Sequence, residues 1–322
     1  MRALRAGLKY VAPKDEDFED DILARLGAQI FYKASVNFRP PDIFGQQPST
    51  PDSRVILSKT DNQLKAIMGD FEAYLARGYD EHTLFTICAN SIIPRDEFIH
   101  TDLDDEEQTF TISVRRDKWK PMKKGPPMPR EIGQSIYDWD IEPDTTYAVS
   151  IQTFESKHRK ALTRKENQQL VAERGAVCPY LTIEYKCTEE TGKSSDARFQ
   201  VAAASILWMH QRKNIRQALG LTLTDLRHYS ITIVDQTYTV WEAYFREDKH
   251  RLRNLSHGDL TTMSGLKNYV DWANAIHTWG LGENATSFKK DIETLLERPR
   301  RQQTFPTPSS TNSQQMLCSK LA

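Results

Sequence analysis

The sequence predicts an α/β fold with a central mixed sheet flanked by helices. Three observations carry this. Apolar residues recur with period two at Tyr147, Val149 and Ile151, at Leu181, Ile183 and Tyr185, and through HYSITIVDQTYTVWEAYF between His228 and Phe245, the mark of half-buried strands. Apolar stripes at helical spacing run through Leu64, Ile67, Met68, Phe71 and Leu75, and through Phe199, Ala203, Ile206 and Ile215. The two kinds of segment alternate along the second half of the chain, as a sheet with helices on its faces requires.

Taken in order, Asp21 to Tyr32 carries Ile22, Leu23, Leu26 and Ile30 at helical spacing. NFRPPDIFGQQPSTPDSR then holds four prolines and a glycine and reads as a loop or exposed linker. Asp61 to Arg77 is a helix that Asp61 caps and Gly78 ends, and another follows through Leu84, Phe85, Ile87 and Cys88. TDLDDEE is a solvated acidic loop. Thr109 to Val114 is a strand, with Phe110, Ile112 and Val114 on one face. RRDKWKPMKKGPPMPR sets basic residues around Trp119; it reads as an exposed loop or as a stretch that grips a phosphate backbone and stacks a base.

The core begins near Tyr137. A strand follows Asp144, a helix spans Lys157 to Arg174 with Gly175 as its stop, and a strand runs from Tyr180 to Lys186. Ser195 or Asp196 caps a helix reaching Leu219. Asp235-Gln236 marks the turn of a hairpin, and helical patterns cover Leu260 to Trp279 and Phe288 to Leu296. From Pro299 the bias to Pro, Ser, Thr and Gln predicts disorder. The expected organisation is therefore an N-terminal helical decoration with loops over 1–130, packed on a core over 131–298, and a disordered tail over 299–322.

Bulk properties narrow the function. No apolar run approaches the ~20 residues that span a bilayer, so no membrane partner is expected. The four cysteines form no CxxC pair and no zinc spacing, which suits an intracellular location, cytoplasmic or nuclear; Cys178 and Cys187 read as small buried fillers. A formal net charge of −1 gives no general grip on a long polyanion, although a local basic face remains open. GxxxxGK[ST], GxGxxG and GxSxG patterns are absent, and the eight histidines follow no HExxH arrangement. His210 and His277 read as packed or surface residues. The oligomeric state is left open.

The chemistry-bearing residues are Asp144, after Pro143 in IEPDTTYAVSIQ, and Glu184 and Lys186 in CPYLTIEYKC. Alternation sends Thr182, Glu184 and Lys186 to one face of their strand and Leu181, Ile183 and Tyr185 to the other. Two carboxylates and a lysine on strands are the parts needed to hold a divalent metal and a water beside a phosphodiester. Blander readings stand beside this: Asp144 as a turn residue at a strand start, and Glu184 with Lys186 as a polar sheet face. Asp138, Asp140 and Glu142 offer further carboxylates in the same stretch.

These motifs, with the GLKNYVDWANAIHTWG segment, resemble an uncharacterised fungal branch of PD-(D/E)XK nuclease-like proteins. The resemblance implies a restriction-endonuclease-like core of a helix, three strands, a helix and a strand. It implies Mg²⁺ or Mn²⁺ held by Asp144, Glu184 and the main-chain carbonyl of Tyr185. Lys186 would orient the attacking water or offset charge on the phosphate, and the substrate would be DNA or RNA. Gln200 matches a glutamine some members use, but Ala204 stands where their QxxxY pattern has tyrosine. A helix between the Asp144 strand and the Glu184 strand departs from compact members. A second expectation is a catalytically inactive binding or interaction module on the same fold; a third is a structural or host-interaction protein without nuclease ancestry.

Overall fold

A computed structural model describes residues 7–8, 28–31, 38–45, 57, 59–78, 80–92, 111–115, 131–132, 135–136, 139–140, 143–164, 167, 175–187, 194–223, 226–246 and 249–298. Its main sheet has seven strands: β1 (Ala28–Phe31), β2 (Thr111–Arg115), β3 (Thr145–Ser150), β4 (Ala176–Lys186), β5 (Arg227–Val234), β6 (Thr237–Arg246) and β7 (Lys249–Asp259). Their order is β1-β7-β6-β5-β4-β3-β2. The pairs β4–β5 and β1–β7 are parallel and the other four are antiparallel. The sheet is mixed, and β3 to β7 make its five-stranded centre.

Among the described residues seven α-helices accompany it: α1 (Pro40–Phe44), α2 (Asp61–Arg77), α3 (Glu81–Ser91), α4 (Ser156–Leu162), α5 (Ser194–Leu219), α6 (Met263–Trp279) and α7 (Ala285–Glu297). Helix α5 makes the crossover between parallel strands β4 and β5. It covers one sheet face, where the Ser205 hydroxyl lies 3.3 Å from that of Ser230. Helices α3 and α6 cover the other face, where Phe85 meets Tyr185 edge-on at 5.4 Å and His277 meets Tyr147 at 4.6 Å. Leu64, Phe71 and Leu84 join Tyr185, Tyr229 and Trp272 in one buried cluster, so residues from α2 and α3 share the core of the sheet.

Several elements differ from the sequence reading. Residues 28–31 are a strand, not the end of a helix, because β7 offers them a parallel partner far away in sequence. Helix α2 is capped by Thr60, one residue before Asp61: the Thr60 hydroxyl accepts the Gln63 N–H at 3.3 Å, and the Gln63 side chain accepts the Thr60 N–H at 2.8 Å. Gly78 ends it in a left-handed conformation, φ 62°. Its buried stripe is Leu64, Ile67, Phe71 and Tyr74, while Leu75 is 42% exposed. Helix α4 ends at Leu162; of the rest of the expected helix, residues 165–166 and 168–174 lie outside the described residues. Ile151 belongs to a short 3₁₀ turn, not to β3. The predicted hairpin turns at Asp235, φ 50°, but continues into a third antiparallel strand, β7, whose charged sequence hid it. Helix α6 consequently begins at Met263, capped by Thr262, rather than at Leu260. The acidic run 101–107, the basic stretch 116–130, Asp138, Glu142 and the tail from Pro299 lie outside the described residues. Asp140 lies in a two-residue ladder with Gly7.

Two glycines in GLKNYVDWANAIHTWG mark close approaches. A Cβ on Gly265 would lie 1.9 Å from the Asp259 carbonyl oxygen, and one on Gly280 would lie 2.2 Å from the Tyr180 ring. Tyr180 reaches α6 because the β3–β4 register shifts beside it, between Tyr147 and Ala148. There its hydroxyl pairs with His277 Nδ1 at 2.9 Å.

Candidate functional site

The site grows from the end of the β3–β4 ladder. Thr145 is the last residue of β3 in register with β4, opposite Ile183. Two residues before it stands Pro143, which has no N–H to continue the ladder. The Asp144 side chain takes over: its Oδ2 accepts the Tyr185 main-chain N–H at 2.9 Å. A carboxylate that satisfies a buried strand amide is held in one place, and it is held beside Glu184 and Lys186.

Glu184 is only 3% exposed. It stands in register with Thr232, as Thr182 does with Ser230, so its face is the one α5 covers. Burial pushes its carboxyl well above the usual range, and the neighbouring Asp144 charge raises it further; Lys186 opposes both. Glu184 and Lys186 are both buried and are not the exposed polar sheet face that the blander sequence reading allowed.

The Lys186 side chain is 8% exposed. Its ammonium donates to the Tyr185 carbonyl at 2.8 Å and lies 3.9 Å from Asp144 Oδ2 and 3.8 Å from Glu81 Oε1. Glu81 escaped the sequence reading. It opens α3 behind the Asp80 cap, where an acidic residue is expected merely to complement the helix dipole. Only the packing of α3 on β4 brings it to Lys186, and no local pattern encodes that contact.

Residues 73–254 match the family model of a domain of unknown function, DUF7924. The chain belongs to this family. The matched span contains Glu81, Asp144, Glu184 and Lys186, and runs from within α2 into β7. No curated protein matches the sequence.

Within the DUF7924 span the remaining candidates are less engaged. Gln200 is buried in α5, with its Oε1 lacking a hydrogen-bond partner among the described residues. His228 pairs with the Thr182 hydroxyl at 3.0 Å, and burial lowers it to about 4; it is a neutral packed residue. Beyond the span His277 is likewise buried and lowered to about 3. Cys88, Cys178 and Cys187 are buried free thiols. No helix among the described residues is long and apolar enough to cross a membrane.

The donor set can be tested for a cation. Among the described residues no three His, Cys, Asp or Glu side chains are grouped to hold a metal. A hard ion such as Mg²⁺ needs fewer, because it keeps several waters and takes one or two carboxylates. Three oxygens, from Tyr185, Asp144 and Glu81, already surround the Lys186 ammonium. All are hard donors of the kind Mg²⁺ and Mn²⁺ select. In chemical type these oxygens suit the ion, and Lys186 donates to one of them, the Tyr185 carbonyl.

Proposed function

We propose that this DUF7924 chain is a metal-dependent phosphodiesterase, a nuclease-like hydrolase of DNA or RNA. The observation that carries the reading is the convergence of Asp144, Glu184 and Lys186 at the open end of the β3–β4 ladder. The fold order supports it: α3, then β2, β3 and β4, then α5 and β5 follow the sequence of elements expected of a PD-(D/E)XK core, with α4 inserted.

In this reading Asp144, Glu184 and the Tyr185 carbonyl would hold Mg²⁺ or Mn²⁺. The ion would lower the pKa of a bound water and neutralise charge on the phosphate. Asp144, oriented by the Tyr185 N–H, would be one carboxylate ligand. Glu184 would be the second, as a carboxylate. Lys186 would offset charge on the phosphate, with Glu81 3.8 Å from its ammonium. Burial of Glu184 on the face that α5 covers strengthens its charge interactions.

A second reading, a catalytically inactive binding module, is favoured by one feature: the Lys186 bond to the Tyr185 carbonyl occupies an oxygen that a metal would need. Cleavage assays on single- and double-stranded DNA and RNA with Mg²⁺ or Mn²⁺ separate the two. The phosphodiesterase cleaves at least one substrate, Glu184→Gln abolishes cleavage, and Lys186→Ala impairs it while retaining the ion. Inert wild-type protein on all four substrates would leave the binding module.

A further inference from the structure

At the other end of β5 the sheet carries a second cluster of charge. Alternation along β6 sends Glu242 and Tyr244 to one face, and the register sets them in a grid. Arg227, Tyr244 and Arg251 form one row across β5, β6 and β7; Tyr229, Glu242 and Arg253 form the next. Glu242 is buried. The Tyr229 hydroxyl donates to its Oε1 at 3.2 Å, and Arg227 Nη1 lies 3.5 Å from the same oxygen. Arg253 brings Nε and Nη2 each to 2.5 Å from Oε2. The Arg253 guanidinium is also 5.3 Å from the centre of the Tyr244 ring.

One guanidinium is enough to neutralise one buried carboxylate. Here two converge on it, a third stands in the next row, and the Arg227 and Arg253 side chains each remain 37% exposed. A guanidinium carries five donors in a planar fork. Arg253 spends its Nε edge on Glu242, so its outer Nη hydrogens face away from that carboxylate. Glu242 therefore acts as a fixed anchor that holds arginines on either side of a half-buried tyrosine.

We propose that this grid is a contact surface for single-stranded nucleic acid, with phosphates on Arg227, Arg251 and Arg253 and a base against Tyr244. Arginine forks match phosphate oxygens, and an aromatic ring among them stacks any unpaired base. This deepens the phosphodiesterase reading and rests on it for the choice of nucleic acid among polyanions. Glu184 is level with Thr232, five residues beyond Arg227 on β5, which is about 17 Å along the strand, and it lies on the opposite sheet face. The grid is thus a holding surface remote from the reacting centre. A strand of about 4–16 nucleotides, the usual footprint of such surfaces, covers that separation.

The test uses the full chain carrying Glu184→Gln, in EDTA, with a fluorescent oligo-dT strand and anisotropy as readout. Adding Tyr244→Leu should weaken binding on the order of tenfold, as loss of a stacked base does. Adding Arg251→Gln should reduce the slope of log K against log[KCl] by about 0.7, the share of one phosphate contact on a single strand. Circular dichroism checks that each variant melts cooperatively; if Tyr244→Leu does not fold, Arg251→Gln decides alone. Unchanged affinity and slope would overturn the surface. So would poly-glutamate that competes equally and loses affinity in the same variants, which would make the grid an acidic-polypeptide surface. Binding that depends on the grid, in a wild-type protein that cleaves nothing, would keep the surface and remove the phosphodiesterase. Cleavage by wild type with grid-independent binding would do the reverse.

Discussion

Asp144 Oδ2 accepts the main-chain N–H of Tyr185 at 2.9 Å. That one bond ties the residue before β3 to the middle of the Glu184-Tyr185-Lys186 triplet, 41 residues later. It fixes the carboxylate where its charge raises Glu184 and lies beside Lys186. Removing the acceptor should therefore strand a buried amide. Asp144→Ala is expected to lower stability by about 1–3 kcal/mol, whereas Asp144→Asn, which keeps an acceptor oxygen, should cost clearly less. Urea unfolding of the three proteins measures the difference; equal losses would mean that the bond carries no weight.

Glu184 sets a pH dependence. Its folded-state pKa is raised by burial and by Asp144. Its contribution is therefore complete below the unfolded value of about 4.3 and is lost as pH rises toward the folded value. Metal-free wild type should lose thermal stability relative to Glu184→Gln as pH increases from about 5 to 8. The variant should melt higher at neutral pH, because the amide neither charges nor repels Asp144. A variant that melts lower than wild type across the whole range would contradict the raised carboxyl.

The buried histidines act with the opposite sign. His228 is lowered to about 4 and His277 to about 3, so each stabilises the fold above the unfolded value of about 6.5 and costs stability as pH falls below it. Each should contribute a slope of about 1.4 kcal/mol per pH unit in that range. His277→Gln, which can still meet the Tyr180 hydroxyl, should flatten the acid limb by one histidine's share. Urea midpoints between pH 4 and 7 provide the check.

Gly280 and Gly282 make a paired test of packing. A Cβ at Gly280 would press on the Tyr180 ring, while one at Gly282 meets nothing within 4 Å. Gly280→Ala should destabilise by about 1–3 kcal/mol through overpacking. Gly282→Ala should be neutral, or stabilising by about 0.5–1 kcal/mol, through reduced backbone freedom in the unfolded chain. Thermal melts of the two variants decide it.

Much of this architecture is legible in the residues. The alternation in β4 and β5, the stripe of α2 and the Asp235 turn are short-range patterns, and each marks its element. What stays hidden is set by distant partners. Ile30 fits a helix by spacing until β7 pairs with it. Strand β7 has few apolar residues because its neighbours, not its own pattern, order it. Leu75 and Tyr74 exchange places because the position of the core relative to α2 decides which side of the stripe is covered. At the site, the Glu184 and Lys186 spacing is local and visible. The Asp144 bond to Tyr185 and the approach of Glu81 to Lys186 are long-range contacts that no window of sequence contains.

The central claim is that Asp144 and Glu184 are paired in order to hold a cation, and calorimetric titration of Mn²⁺ into metal-free protein tests it most directly. Wild type should bind an ion and release a proton as it does so, seen as a dependence of the heat on the buffer's ionisation enthalpy, because Glu184 must deprotonate to become a ligand. Glu184→Gln should abolish both the binding and the proton release. Wild type that binds no ion, or Glu184→Gln that binds it unchanged, would contradict the claim.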